Sequence, residues 1–268
     1  MAIQMLLQRG ANIGTRQIAA RFARDLSMYP VVEFPKCGGT WLCRMLSGCM
    51  DLPFAQFSRL PVAMPCVVHS HWKYHPKMRN VTYLMRDGRD VIVSFYFHAT
   101  RPNKVPNNAD PEKMVRVMRE LFGNDADLDD VRSNLPRFIE YIFKNPYGSR
   151  LSWSEHMSQW LDREDVVYTR YEDLRTNCAS SMLDLLGRHG VQVTHERVTE
   201  VVERFSMQRM TGRKPGQEDT HSFIRKGIVG DWVNHFSRES AELFDTLAGD
   251  MLIRSGYETD RSWIERCE

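Results

Sequence analysis

The sequence lacks several features that would assign it to a class at once. It has no apolar run near the ~20 residues that a bilayer-spanning helix needs, no internal repeat and no low-complexity stretch. Its six cysteines form no C-x-x-C pair, which argues against zinc ribbons and thioredoxin-like motifs. We interpret them as buried free thiols of a reducing compartment, the cytoplasm. The net charge of only +2 argues against a nucleic-acid partner.

The overall composition is that of an ordinary globular protein. The 268 residues are 42% hydrophobic and 26% charged, which suits one domain, residues 1–268, with a full core. Residues 1–24 carry four arginines, and the first acid is Asp25. This start resembles a weak transit peptide, but we interpret residues 1–28 as a basic arm that packs on the domain. We expect Gly10 and Gly14 to interrupt its helix.

Short apolar runs alternate with stretches of helical spacing along most of the chain. The predicted strands are Val31–Phe34, Cys66–Ser70, Val81–Met85 and Asp165–Thr169. The predicted helices are Thr40–Met50, Asp90–His98, Lys113–Phe122, Pro136–Phe143, Trp153–Leu161, Ala179–His189 and Glu239–Ile253. This alternation predicts an α/β fold with a central parallel sheet flanked by helices. In such folds ligands bind at the sheet edge where the strands end.

A glycine loop follows the first predicted strand. Gly38 and Gly39 let the backbone approach an anion, Lys36 adds a charge, and Thr40 adds a hydroxyl at the start of the next helix. A Walker A loop places its lysine after the glycines, whereas Lys36 precedes them. Alone, the segment is equally compatible with a plain glycine turn and a solvated lysine.

Two further basic segments suit phosphate. Arg86 ends a predicted strand, and Ser94 lies about two turns into the following helix. The alternative is that residues 86–90 form weak surface ion pairs. Residues 225–227 place two cations before a glycine, and the alternative there is a solvated basic loop.

Together and in this order, the segments between Val31 and Phe236 resemble the sulfotransferases that use 3′-phosphoadenosine-5′-phosphosulfate (PAPS) and release the bisphosphate PAP. The resemblance implies a P-loop-like nucleotide-binding core, no metal, and a mobile loop at 211–231 that closes over the nucleotide. The donor-binding residues that it implies are Lys36, Cys37, Gly38, Gly39, Thr40 and Trp41 in the phosphosulfate loop, Arg86 and Ser94 at the 3′-phosphate, Tyr171, Ser206, Met207 and Met210 around the adenine, and Arg225, Lys226 and Gly227 in the closing loop.

The resemblance also implies the catalytic residues. His71 aligns with the family's general base, and an imidazole accepts a proton near neutral pH. His69 takes the place of a lysine that helps to hold the transferring group, and we expect it on the substrate side. Residues 69 and 71 of a strand point to the same side, so either histidine can face the cleft. Lys36 would stabilise the leaving phosphate, and Ser94 would steer Lys36.

Function is therefore predicted as sulfuryl transfer from PAPS to a hydroxyl, or an amine, of a small molecule by a monomer or homodimer. The rival readings are a P-loop nucleotide kinase, which would need an acidic magnesium site, a silent nucleotide-binding scaffold, and a carbohydrate sulfotransferase. Aromatic side chains at 97, 122, 138, 141, 143 and 147 either line an acceptor pocket or belong to the core.

Overall fold

The computed structural model describes residues 2–56, 58–101, 113–146, 148–222 and 224–268. Two compact units make up the chain: residues 1–85 with 159–212, and residues 86–158 with 213–268. Among the described residues, no helix combines the length and the apolar composition that crossing a bilayer requires.

Every predicted strand and helix is present in the predicted order. The strands are β1 (Met28–Glu33), β2 (Phe54–Ala55), β3 (Cys66–Ser70), β4 (Val81–Met85) and β5 (Val166–Arg170). The helices are α1 (Ala2–Phe22), α2 (Gly39–Met50), α3 (Gly88–Thr100), α4 (Lys113–Phe122), α5 (Val131–Lys144), α6 (Trp153–Trp160), α7 (Tyr171–Thr176), α8 (Cys178–Arg188), α9 (His195–Arg204), α10 (Met207–Thr211) and α11 (Arg238–Arg254). Two 3₁₀ helices cover Asp231–Asn234 and Arg261–Arg266. Among these elements, β2, α7, α9 and α10 are additional ones that were not predicted.

The first unit contains the whole sheet. Its strand order is β2-β3-β1-β4-β5, and every neighbouring pair is parallel. Val31, Val32 and Val67 are fully buried, as expected of parallel strands that are covered on both faces. The predicted α/β class with a central parallel sheet is confirmed.

Helix α1 is continuous, so the prediction that Gly10 and Gly14 interrupt it is wrong. A glycine inside a helix costs only ~1 kcal/mol relative to alanine, which tertiary packing readily offsets. At Gly14 the missing side chain serves packing, because a Cβ there would lie 2.6 Å from Cγ of Pro61.

The second unit is built around aromatic rings and one buried cation. Arg89 is buried, pairs with Asp87 and Glu258, and lies 3.8 Å from the ring centroid of Trp232 and 4.7 Å from that of Trp263. The reading of residues 86–90 as surface ion pairs is therefore wrong for Arg89, since aromatic faces and buried carboxylates replace its solvent.

Candidate active site

Two strand ends of the first unit carry the predicted catalytic groups. β1 ends at Glu33 and continues into the loop that contains Lys36, while β3 ends at Ser70 and continues into His71. The strands are parallel, with Val31 level with His69 and Val32 level with Ser70. The ends of both strands therefore lie at the same sheet edge, as expected of a ligand site in this class of fold.

The loop after β1 has an unusual backbone. Lys36 has φ 74° and Gly38 has φ 104°, both in the left-handed region. A Cβ on Gly38 would also lie 2.9 Å from the Tyr171 ring. Gly38 is thus required for both conformation and space, whereas Lys36 holds a left-handed backbone conformation that costs a non-glycine residue free energy.

Glu33 is the residue of this site that sequence reasoning missed. Its carboxylate is buried and accepts hydrogen bonds from the N–H of Gly39 and, at 2.9 Å, from Nε2 of His69. A Cβ on Gly39 would lie 2.5 Å from Cδ of Glu33 and 2.6 Å from Nε2 of His69. The hydrogen-bonded pair Glu33 and His69 therefore leaves room only for glycine at position 39. An acid inside a buried apolar strand is rare unless it has a partner, and that was the available signal.

His71 is held in one tautomer. Its Nδ1 lies 3.0 Å from the backbone carbonyl oxygen of Glu33, which can only accept, so Nδ1 carries the proton and Nε2 keeps its lone pair. Burial, followed by the charge of His69, lowers the pKa of His71 to about 4, although Glu33 acts in the opposite direction. His71 is consequently neutral near pH 7. One carboxylate oxygen of Glu33 and one ring nitrogen from each of His69 and His71 all lie within 4.8 Å of one another.

The predicted adenine contacts of the first unit lie close together. The rings of Trp41 and Tyr171 meet edge to face with centroids 6.0 Å apart, and Nε1 of Trp41 donates to the carbonyl oxygen of Phe205 at 2.9 Å. Ser206 caps α10, and Met207 is buried. The two aromatic rings and the start of α10 thus form one cluster, which has the composition of a base-binding site.

Arg86 and Ser94 belong to the second unit. The carbonyl oxygen of Arg86 accepts from Nε1 of Trp153 at 3.2 Å, and a Cβ on Gly88 would lie 2.7 Å from the same indole. Asp87 caps the start of α3, and Ser94 is half-buried two turns further on. The start of α3 is therefore fixed by packing against Trp153.

The cations of the late loop are paired. Asp231 accepts from Lys226 at 2.6 Å, from Arg225 at 2.5 Å and from His235 at 3.3 Å. Burial alone would raise the pKa of Asp231, but the hydrogen bonds from His235, Lys226 and Arg225 outweigh it and hold the pKa well below its usual range. The alternative of a solvated basic loop is therefore wrong for Arg225 and Lys226. Gly227 follows them with φ 61°.

Asp90 anchors this loop to α3. Its carboxylate accepts from the N–H of Gly230 at 2.8 Å and from the N–H of Trp232 at 3.0 Å. These are charge-assisted hydrogen bonds to backbone, and they fix the glycine turn that precedes Asp231.

The aromatic residues considered for an acceptor pocket include two core residues and one outside the described part of the chain. Phe97 and Phe138 are buried core residues, whereas Tyr147 and residues 102–112 lie outside the described residues. A cavity of about 720 Å³ in the second unit is lined largely by polar and charged side chains, among them Arg101, Arg119 and His221. Of the two readings left open for these aromatic residues, Phe97 and Phe138 follow the one that assigns them to the core.

Comparison with known proteins agrees with the fold. The model of the sulfotransferase domain matches residues 50–256. Bovine sulfotransferase 1E1 is 26% identical over 80% of each chain, and 3-alpha-hydroxysteroid sulfotransferase of Cavia porcellus is 29% identical over 76% of this chain and 68% of its own. Mouse sulfotransferase SULT7A1, solved in complex with PAP, shares the fold with a TM-score of 0.60 at 17% identity, covering 94% of this chain and 91% of its own.

A parallel α/β sheet with a glycine loop at its carboxyl edge is the architecture of a nucleotide-binding fold. The chain belongs to the sulfotransferase family. The predicted enzyme class is thereby confirmed, and a nucleotide kinase is no longer a competing reading. The roles of the individual site residues stay predictions.

Proposed function

We propose that this enzyme transfers the sulfuryl group of PAPS to a hydroxyl of a small molecule, with His71 as the general base. The observation that carries the proposal is the hydrogen bond from Nδ1 of His71 to the carbonyl oxygen of Glu33, which leaves Nε2 ready to accept a proton. That carbonyl belongs to the last residue of β1, directly before the Lys36 loop.

The Lys36 loop supplies the donor site. Trp41 and Leu42 donate their N–H groups to the carbonyl oxygen of Gly38, while no partner within the described chain accepts from the N–H groups of Gly38 and Thr40. Two available N–H groups at a helix start, with the charge of Lys36, suit the 5′-phosphosulfate. The mouse relative solved with PAP, which shares this fold, supports the same donor here.

The remaining donor contacts are proposed from the motifs. Trp41 and Tyr171 stack against the adenine beside Met207 and Met210, with Ser206 at the start of the same short helix α10. In the second unit Arg86, Ser94, Arg225, Lys226 and Gly227 serve the 3′-phosphate. Arg225 and Lys226 then exchange at least part of their pairing with Asp231 for phosphate oxygens.

Transfer is a single in-line displacement. The acceptor oxygen attacks sulfur as its proton moves to Nε2 of His71, while the bond between sulfur and the bridging phosphate oxygen breaks and PAP leaves. Lys36 stabilises the charge that builds on that phosphate. The Glu33 carboxylate stabilises the imidazolium as it forms and orients His69, which we place at the acceptor side. No step of this scheme uses a metal ion.

The acceptor is proposed to be a small alcohol or phenol, and the site of action the cytoplasm. Relatives named as a hydroxysteroid sulfotransferase and an amine sulfotransferase set the range of acceptors to test. The test is a panel of alcohols, phenols, amines and sugars incubated with PAPS, with PAP formation as the readout. PAP formation with a hydroxyl compound supports the proposal. PAP binding without turnover on any acceptor would contradict it.

A further inference from the structure

Exposed apolar side chains concentrate on one part of the first unit. Of the nine large apolar side chains that are exposed among the described residues, six lie in α1 or in the loop 58–65. Leu60 is 74% exposed, Leu6 65% and Ile13 64%, and the other three are Leu7, Phe22 and Met64. Scattered single residues of this kind need no explanation, but a concentration in two segments does.

These two segments touch each other. The N–H of Val62 donates to Oγ1 of Thr15 at 3.0 Å, and Pro61 occupies the space beside Gly14. α1 is also tied to the chain after β3, because Nε1 of Trp72 donates to Oδ1 of Asn12 at 2.7 Å. The two segments that carry the exposed apolar side chains are therefore joined to each other in the first unit.

The same region is cationic. Residues 1–24 and 52–86 contain no Asp or Glu. Arg9, Arg21 and Arg59 are exposed, and Nη2 of Arg16 donates to the carbonyl oxygen of Lys73 at 3.1 Å.

The pKa of His75 reflects the same concentration of positive charge. Burial lowers its pKa, and the charges of Arg16, Lys77 and Arg21 lower it further. Cations of α1 and of the segment after β3 are thus close enough to lower the pKa of the same imidazole.

We propose that α1, the loop 58–65 and residues 72–77, together called the N-terminal patch, dock on an anionic lipid bilayer. Leucine and isoleucine side chains enter the interface while arginines contact the headgroups, which is how basic amphipathic surfaces bind anionic membranes. Charge complementarity selects an anionic partner. The protruding apolar side chains select lipid over a nucleic acid or an acidic polysaccharide, because neither offers them an apolar phase.

The test is sedimentation of the full chain with two kinds of vesicle. One is phosphatidylcholine alone, and the other contains about 30 mol% phosphatidylglycerol as the anionic lipid. Binding is expected to the mixed vesicles and to weaken with salt. Arg9→Gln/Arg21→Gln should lower the partition coefficient roughly 30-fold. Leu6→Ser/Ile13→Ser should lower it at least about tenfold. Leu247→Ser and Arg137→Gln/Arg254→Gln, exposed positions of the second unit, are the matched controls and should bind as wild type.

Several results would overturn the proposal. They are no binding to mixed vesicles, equal binding by all variants, heparin binding without vesicle binding, or a dimer that Leu6→Ser/Ile13→Ser dissociates without any vesicle binding. PAP affinity and the unfolding temperature are measured on the same variants and should match wild type. Because vesicle binding needs no turnover, its failure is distinct from failure of the proposed sulfuryl transfer.

Discussion

The Lys36 loop and the late loop at 225–231 are both rich in glycine and cations, but they differ in the backbone N–H groups that the first leaves available and in the ion pairs that the second contains. In the first loop the N–H groups of Gly38 and Thr40 have no acceptor within the described chain. In the late loop Arg225 and Lys226 already share the carboxylate of Asp231. The first loop is therefore preorganised for an anion, whereas the second must give up internal pairs to bind one.

This difference assigns different costs to the two loops. Preorganised donors stabilise charge without rearrangement, which is the condition for a large catalytic effect. Cations that exchange one anionic partner for another contribute only the difference between the two interactions. We expect substitutions at the sheet edge that carries Lys36 and His71 to have the larger effect on the chemical step, and substitutions in the late loop to act mainly on stability.

The largest effect is expected at His71. His71→Ala removes the group that accepts the acceptor proton, so turnover should fall about 10²- to 10⁴-fold while PAP affinity stays within about twofold of wild type. Single-turnover rates and calorimetry with PAP separate the two quantities. His75→Ala is the control, because His75 is not part of the Glu33 cluster. Full activity of His71→Ala would move the base to His69.

Lys36→Ala is expected to lower kcat about 10²- to 10³-fold, because one preorganised charge at the leaving phosphate is lost. Lys226→Ala is the matched lysine of the late loop and should lower kcat by less than about tenfold, since its charge is already balanced by Asp231. Steady-state kinetics on both variants provide the measurement. Equal losses of kcat would break the contrast between the two loops.

Asp231→Asn should destabilise the protein by about 3 kcal/mol, because it leaves Arg225 and Lys226 without their buried partner. Urea unfolding measures the change. Asp250→Asn is the control, as Asp250 is 94% exposed and its pairing with Arg261 at the surface should contribute little to stability. If the two variants lose the same stability, the pairing in the late loop is not structural.

The sheet edge that carries His71 and the late loop that carries Asp231 should also respond differently to acid. With the pKa of His71 at about 4, kcat/KM should be flat from about pH 8 to about pH 5 and fall below that as Nε2 takes a proton. Asp231 keeps its charge through this range, because its pKa is held well below the usual value. The pKa of His71 in the folded protein lies below its ordinary value of 6.5, so the unfolded chain takes up this proton at a higher pH than the folded chain does. The free energy of unfolding should therefore fall as the pH drops from about 6.5 to about 4. A pH–rate profile with its midpoint near 6.5 would contradict this environment for His71.

Local patterns predicted the elements around the site well. The bounds of β3, β4 and α4 agree with the predicted ones, because apolar strands and amphipathic helices have hydrophobic patterns that can be recognised in a short stretch of sequence. The order of the motifs along the chain was enough to indicate the family. The Lys36 loop and His71 were expected at one sheet edge, and parallel strand pairing places them there.

What the sequence did not reveal depends on contacts between distant residues. The role of Glu33 rests on its bonds to Gly39 and His69, and its strand gave no periodic signal for them. The burial of Arg89 depends on two tryptophans far along the chain. The need for glycine at position 14 of α1 comes from Pro61, which occupies the space beside it. Tertiary packing decides such cases against local propensity.

The most direct test is a calorimetric titration of PAP into the wild-type chain and into Lys36→Ala. We expect one PAP site on the wild type and markedly weaker binding to the variant, because the loop after β1 holds the 5′-phosphate. Folded wild-type protein that takes up no PAP, or that binds PAP equally well without Lys36, would contradict it.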